Sequence, residues 1–342
     1  MSVHPRGVEP RIGVIGAGAL GYHHVRLLSA LEGIRFVGFY DERASRAADV
    51  SNELNVAHHS SLEALLDESD AVTIVVPTPA HHAVAKRALE RGKHVLIEKP
   101  LTTTLDEADE LLAIARSNGA LIQTGHVERF NRAIRAAVPY IEAPRFVVCD
   151  RLAPFNPRGT DVAVVLDLMI HDIDLILTLV GGHVAELAAV GVPVLSPFVD
   201  IANARLTFAS GAVANITASR VSVERTRKLR IFQPSGYMSL DLASGEGQYY
   251  RMRKGVDLAA LARGPLAVDA FVDRIALSAP EAEPLRLEFE SFAAAVRGES
   301  PVVVSGEDGR EALDVALRIV REIERSLPAL AGGTLALAPR ET

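Results

Sequence analysis

Arg11-Ile12-Gly13-Val14-Ile15-Gly16-Ala17-Gly18-Ala19-Leu20-Gly21 is the stretch that decides the fold. Arg11–Ile15 reads as a buried strand, a Gly-x-Gly-x-x-Gly loop follows without a gap, and Ala19–Leu31 has a helical pattern. Each glycine has its own task in such a turn. Gly16 permits the tight bend, Gly18 lets the backbone approach a pyrophosphate, and Gly21 lets the helix pack closely on the strand. The helix N-terminus then faces the anion. Asp41 stands at the end of the next strand, where a carboxylate can accept hydrogen bonds from ribose hydroxyls and would repel a 2′-phosphate. Arg43 and Arg46 pull the other way, because either can approach such a phosphate. A tight turn with no ligand is the plain alternative. Strand, loop, helix and acid in register favour a dinucleotide, NAD ahead of NADP.

Working outward from the loop, strand-like and helix-like runs alternate. The strands are Arg11–Ile15, Arg35–Tyr40, Ala71–Val76, His94–Ile97, Leu121–Thr124 and Arg145–Cys149. Their near-continuous Val and Ile content is that of strands buried on both faces of a parallel sheet. Helical patterns at Ala19–Leu31, Ala44–Leu54, Ser61–Leu66, His81–Arg91 and Leu105–Ser117 separate them. The fold class expected is α/β: a doubly wound parallel Rossmann sheet, then an α+β domain with a large, mostly antiparallel sheet. That second part opens with an apolar helix, Val162–Leu179, stopped at Gly181-Gly182. Strands at Glu186–Val190, Ile201–Phe208, Ala212–Ser219, Lys228–Phe232 and Tyr237–Asp241 follow, with hairpin breaks at Ala209-Ser210-Gly211 and Pro234-Ser235-Gly236. Helices at Leu285–Val296 and Glu307–Ser326 come last. The division expected is 1–126 for the dinucleotide, 127–330 for substrate binding and oligomerisation, and 331–342 as a loosely ordered tail.

The 342 residues suit two domains at roughly 100–200 residues each. With 36 basic against 43 acidic residues, the net charge of −7 argues against nucleic acid held by a basic surface. Apolar runs are broken by Pro77 or Asp167 before they reach membrane-spanning length, and Met1–Pro10 lacks the apolar core of a secretion signal. Cys149 is the one cysteine, which excludes an intrachain disulfide and fits a reducing, cytoplasmic setting.

Candidate chemistry gathers at the carboxyl ends of the strands, the edge that faces ligand in an open α/β sheet. Pro77-Thr78-Pro79 with His82 follows the third strand, and Glu98-Lys99-Pro100 ends the fourth. His126, Glu128, Arg129, Phe130 and Asn131 follow the fifth, where Arg129 and Arg132 can meet a phosphate. On the apolar helix, Asp167, His171 and Asp174 are spaced i, i+4, i+7 and stack on one face. A carboxylate one turn from an imidazole orients it and biases its tautomer. Asp172 lies off that stripe, as a surface or locally bonded residue. Each motif also has an ordinary reading: a solvated lysine, a helix cap at Thr78, a charged surface run, or a satisfied core histidine. The pairs His23-His24, His58-His59 and His81-His82 are poorly spaced for chelation, so no metal site is expected.

The glycine loop, Glu98-Lys99-Pro100, Asp167-x-x-x-His171 and the late Gly306-Glu307-Asp308-Gly309-Arg310 together resemble the Gfo/Idh/MocA family of sugar and polyol oxidoreductases. Within it, Gly125–Asn131 and Asp167–Asp174 are similar to the branch that oxidises C3 of UDP-N-acetylglucosamine, whose 3-keto product feeds an aminotransferase on the way to lipid A. The resemblance implies an enzyme with NAD as cofactor and Lys99, Asp167 and His171 as its catalytic group. It assigns Gly16, Gly18, Ala19, Leu20, Gly21, Asp41, Arg43, Pro77, Thr78, Pro79, His82, Glu98 and Lys99 to the cofactor. Lys99, His126, Glu128, Arg129, Phe130, Asn131, Asp167 and His171 go to a nucleotide-sugar substrate. One departure is that Asp161–Leu166 lacks the glycines many relatives carry there, which disfavours a generic inositol or glucose dehydrogenase. A UDP-linked uronic acid, an inositol-type substrate, or a non-catalytic dinucleotide-binding regulator are the alternatives. A homo-oligomer, dimer or tetramer, joined through the antiparallel sheet is expected.

In the chemistry so implied, the C3 hydroxyl loses its proton as the C3 hydride leaves. His171 or Lys99 accepts the proton while the other polarises the developing carbonyl. His171 is favoured, because an imidazole is neutral near pH 7 and a lysine needs desolvation or a neighbouring cation to become a base.

Overall fold

Ile12, Val14, Ala71, Val72, Ile74, Val95, Leu96 and Ile97 are almost wholly withdrawn from solvent, so these short strands need cover on both faces. The computed structural model describes residues 9–156, 162–253 and 271–326. The tail expected at 331–342, the start of the chain at 1–8 and Asp161 lie outside the described residues. The chain divides into two compact units. One holds the chain up to Phe130 together with Ala282–Asp314, the other Asn131–Glu281 and the chain from Val315 onward.

Among the described residues, the first unit contains a five-stranded parallel sheet, β1 (Arg11–Ile15), β2 (Arg35–Tyr40), β3 (Ala71–Ile74), β4 (His94–Glu98) and β5 (Ile122–Gly125), in the order β2-β1-β3-β4-β5. Helices α1 (Ala19–Ser29), α2 (Ala44–Leu54), α3 (Leu62–Glu68), α4 (Thr78–Glu90) and α5 (Leu105–Asn118) connect these strands. Two apolar clusters cover the two faces. One joins Val25 and Leu28 of α1 to Phe289 and Phe292, and the other joins Leu65, Leu89 and Leu111 from α3, α4 and α5. The α5 start is held by a capping box, in which Thr104 accepts from the Glu107 amide and Glu107 accepts from the Thr104 amide. A topological switch lies at β1, where the order reverses, and the carboxyl ends of all five strands share one edge.

The second unit is a mixed eight-stranded sheet among the described residues. Its strands are β6 (Phe146–Leu152), β7 (Val184–Val192), β8 (Ile201–Phe208), β9 (Val213–Ser219), β10 (Thr226–Gln233), β11 (Gly236–Asp241), β12 (Glu246–Met252) and β13 (Val272–Leu277). They run in the order β13-β12-β11-β10-β6-β9-β8-β7, antiparallel except for the β6–β9 pair. Both proposed hairpins are present, β8–β9 and β10–β11. The buried face is built of small and medium residues, among them Ala202, Ala204, Ala214, Ile216, Ala218, Leu229 and Ile231. Helix α7 (Ile170–Val180) lies against β6 and β9, and helix α6 (Arg132–Ala137) against β11, β12 and β13. Helix α8 (Pro284–Val296) belongs to the first unit, and α9 (Gly306–Ser326) runs through the division point.

Two expectations need correction. Arg145–Cys149 is not a sixth parallel strand: Phe146–Leu152 pairs with β9 and β10 in the second sheet. Its strictly alternating burial is the signature of a strand covered on one face, which Phe-Val-Val-Cys hides because Phe146 and Val148 are apolar on the half-open side. The apolar helix is not uniform either. Val165–Met169 is a π turn and the regular α-helix begins only at Ile170, so one period does not apply from Asp167 to Asp174. Strands β12 and β13 and helix α6 had no strong signal in the sequence.

Candidate active site

Gly16 leaves β1 with a φ of 93°, and its amide donates to the Tyr40 carbonyl at 2.8 Å. A Cβ on Gly16 would sit 2.5 Å from the Val75 carbonyl oxygen, and one on Gly21 would sit 2.1 Å from the Gly16 oxygen. Both glycines are therefore demanded by the backbone itself. Gly18 differs. The nearest atom to a Cβ there is an Arg43 guanidinium nitrogen at 4.0 Å, so its missing side chain leaves open space in front of α1. Gly18 caps α1 without any side-chain hydrogen bond, and Ala19 and Leu20 are exposed. The orphan amides of this first turn are thus available to an anion.

Asp41 follows β2 and is buried, accepting from the Ala17 amide at 2.7 Å and from the Arg43 amide and guanidinium at 3.0 and 3.2 Å. Burial alone would raise its carboxyl. The amides of Ala17 and Arg43 and the Arg43 charge outweigh that and hold it below the ordinary carboxylate range. Arg46 donates to the carbonyls of Ala17 and Gly18. An open cradle at a helix N-terminus with an ionised acid beside it fits a dinucleotide: Gly16, Gly18 and the first turn of α1 would hold the pyrophosphate, and Asp41 the ribose.

The other strand ends of this unit lie along the same edge. Pro77 caps α4, with Thr78 and Pro79 in its first turn. His82 is turned toward α5, where its Nε2 meets Glu110 at 2.7 Å alongside Lys86. His81, passed over in the sequence, is buried with Nδ1 2.9 Å from the Pro100 carbonyl and Nε2 2.9 Å from the Val76 carbonyl. Burial lowers its pKa more than those two carbonyls raise it, and since a neutral ring donates through one nitrogen only, it lies between the loops after β3 and β4 bonded to one of the two carbonyls at a time.

Lys99 is half-buried at the end of β4, preceding a cis peptide to Pro100. Glu98 beside it is buried and accepts from the His24 ring at 3.1 Å and from the Lys99 amide at 3.3 Å. Burial would raise the Glu98 carboxyl, but His24 and the Lys99 charge outweigh that and lower it. After β5, His126 and Glu128 are buried, Phe130 is 8% exposed, and Arg129 donates to the Val303 carbonyl at 3.3 Å with Asp308 at 3.6 Å.

In the second unit, Asp167 lies within the π turn and His171 in the first turn of α7, both half-buried. Asp174 is 1% exposed, so its carboxylate is interior rather than part of a half-open stripe. Asp172, expected as a surface or locally hydrogen-bonded residue, is fully buried and receives two hydrogen bonds from the distant Arg151 of β6, at 2.8 and 2.7 Å. Asn131 donates to the Leu242 carbonyl and caps α6, while Arg132 is spent on the carbonyls of Ser244 and Gly245. No group of three or more His, Cys, Asp or Glu suited to a metal occurs among the described residues. None of the described helices is long and apolar enough to cross a membrane.

Comparison with known proteins agrees with this geometry. Residues 10–126 match the oxidoreductase family Gfo/Idh/MocA, NAD-binding Rossmann fold, and residues 147–239 match the C-terminal domain of the same family. The chain is 38% identical over 325 residues to UDP-N-acetylglucosamine 3-dehydrogenase of Acidithiobacillus ferrooxidans, covering 94% of this chain and 99% of the relative. A solved structure of that enzyme superposes with a TM-score of 0.84, covering 93% of this chain and 99% of the other. An NAD+-dependent scyllo-inositol 2-dehydrogenase of Bacillus subtilis is 31% identical over 233 residues, covering 63% of this chain and 68% of the relative. A Rossmann loop with an open cradle at Gly18, an ionised Asp41 and matches along both parts of the chain have one common account: this protein belongs to the Gfo/Idh/MocA family of oxidoreductases and carries that family's NAD-binding domain.

Proposed function

We propose that this protein oxidises the C3 hydroxyl of UDP-N-acetylglucosamine to the ketone with NAD. The observation that carries this reading is the near full-length similarity to an enzyme of that name, at 38% identity. The inositol dehydrogenase is less similar, at 31% identity, which favours the nucleotide sugar over a free polyol. Bound NAD supplies the hydride acceptor. The residues assigned above to cofactor and substrate keep those roles in this reading. Lys99, Asp167 and His171 carry the chemistry: His171 takes the hydroxyl proton, Lys99 stabilises charge on the oxygen, and Asp167 orients the imidazole. The half-buried positions of these three side chains suit the work, since a group sheltered from water acts more strongly on developing charge.

The reading extends to the setting. A keto nucleotide sugar made here would feed an aminating enzyme in the cytoplasm, supplying a lipid A precursor. We also place a homo-oligomer contact on the outer face of the second sheet, where Phe146, Phe232, Tyr237 and Tyr250 stack in a row and Arg274 lies 5.4 Å over Tyr250. Such a ladder of half-open aromatic rings suits a face-to-face sheet contact. The division into 1–126 for the cofactor and 127–330 for substrate and assembly is part of the same proposal.

Mass spectrometry of pure protein incubated with NAD and UDP-N-acetylglucosamine, its uronic acid, UDP-glucose or myo-inositol tests this, with a carbonyl-trapping reagent present. A trapped product lacking two hydrogens from UDP-N-acetylglucosamine alone is the expected result. A product only from another sugar overturns the substrate, and tight NAD binding with no product at all favours a regulator.

A further inference from the structure

His24 lies on the same helix that the glycine loop opens, and it points inward with no exposed surface. Its Nε2 is 3.1 Å from Glu98 Oε1 and its Nδ1 is 3.2 Å from the Thr73 hydroxyl. A carboxylate only accepts, so Nε2 carries a proton toward Glu98, and the Thr73 hydroxyl is the partner of Nδ1. Both ring nitrogens thus have a partner. The ring packs edge-on against Phe289, with centroids 4.8 Å apart. The other Glu98 oxygen accepts from the Lys99 amide at 3.3 Å. On its far side the carboxyl group meets Gly125, where a Cβ would come within 2.9 Å of the carboxyl carbon. Helix α1 and strands β3, β4 and β5 thus converge on one buried carboxylate, next in sequence to Lys99.

We propose that His24 is a positioning residue for Lys99: it holds the Glu98 carboxylate that receives the Lys99 amide, and so ties the lysine to the helix that opens at the glycine loop. This rests on the reading that Lys99 is a catalytic group. Nothing in a buried Thr–His–Glu chain of this kind is needed to build a parallel sheet, and an apolar residue would fill the same volume without a polar group to satisfy. Its cost is explained by what it aims. The lysine must meet a reacting oxygen within a narrow range, and a displacement of about 1 Å costs on the order of a hundredfold in rate.

The test compares His24→Leu, His24→Gln and Thr73→Val with Lys99→Ala in the wild-type chain, using UDP-N-acetylglucosamine and NAD. For each variant, kcat, KM for the sugar, calorimetric NAD affinity and Tm are measured. His24→Leu is expected to lower kcat by tenfold to a hundredfold, on the order of a misplaced catalytic group, with KM and NAD affinity within about threefold of wild type. His24→Gln, which still donates to Glu98, restores much of the loss. Thr73→Val, which removes only the hydroxyl, produces a smaller fall of the same kind and serves if His24→Leu does not fold. Unchanged kcat in Thr73→Val and in a folded His24 variant overturns the proposal. So does a parallel loss of kcat, NAD affinity and Tm that glutamine does not relieve. An inactive Lys99→Ala beside fully active His24 variants sinks this inference alone, whereas an active Lys99→Ala sinks the role of the lysine itself.

Discussion

Arg151 and Asp172 face each other through two parallel hydrogen bonds of 2.8 and 2.7 Å, with side chains 4% and 1% exposed. Strand β6 and helix α7 are therefore joined by a buried bidentate ion pair one residue from His171. Breaking such a pair from one side strands the other charge in the interior. Asp172→Ala is expected to destabilise the protein by about 3–5 kcal/mol, whereas replacing both partners with apolar residues of similar volume costs much less. Urea unfolding of the single and double variants measures the difference.

Cys149 lies beside that pair on β6 and is 1% exposed. Burial pushes its thiol well above the usual range, and the neighbouring Asp172 charge pushes the same way. A thiolate is the reactive form, so the native protein should resist a disulfide reagent at pH 8 for as long as it stays folded. Labelling should appear only with denaturant, at the rate of unfolding. Rapid labelling of the native chain would contradict this.

The three loop glycines should separate by experiment. Gly16→Ala and Gly21→Ala force a Cβ against backbone oxygen, at 2.5 and 2.1 Å, and should lower Tm or prevent folding. Gly18→Ala meets open space, so Tm of the NAD-free protein should hold within a few degrees. Its NAD affinity should nonetheless fall, about tenfold or more, because the added methyl enters the space proposed for the pyrophosphate. Calorimetric titration with NAD beside a thermal melt gives both numbers.

Asp200 should control part of the acid stability of the second unit. It is wholly buried, and one of its oxygens accepts from the amides of Val194, Leu195 and Ser196 while the other accepts from Ser196 Oγ and Arg220. Burial would raise this carboxyl, but the hydrogen bonds from Ser196, Arg220 and the amides outweigh it and hold it far below the ordinary range. A lowered folded-state value means that the stabilisation is fully present above the unfolded value near pH 4 and is lost as the pH falls below it. Asp200→Asn should therefore cost about 2 kcal/mol or more at neutral pH, and its Tm should begin to approach that of wild type only as the pH falls below about 4. Parallel Tm–pH curves would refute this.

The residues legible in advance share one property: their meaning is local. Gly16, Gly18 and Gly21 act within a single turn, Asp41 follows the very next strand, and Gly181 with a φ of 73° ends α7 beside its own helix. The strands β1, β3 and β4 were readable because burial on both faces leaves mostly apolar residues. Arg145–Cys149 misled for the same reason, since a half-open face that happens to be apolar imitates full burial.

Asp172 was misplaced because a helical wheel treats one face as inside, while α7 is buried on nearly every side and a partner on β6 claims the residue that the wheel sends outward. His24 was set aside as one of a poorly spaced histidine pair, and His81 as the neighbour of His82. Both are interior, and the partners of each come from other strands or loops.

The chain pattern alone thus specifies the glycine loop, the parallel sheet and the class of cofactor, because hydrophobic period, turn geometry and helix termini are set by residues close in sequence. The buried pairs His24–Glu98 and Arg151–Asp172 span 74 and 21 residues and come into being only when strands and helices pack. A hydrogen bond between distant residues leaves no period in the sequence, and burial of a charge is decided by whatever element happens to cover it. Which polar residues are interior, what they hold in place, and where the helix widens into a π turn are therefore properties of the folded protein.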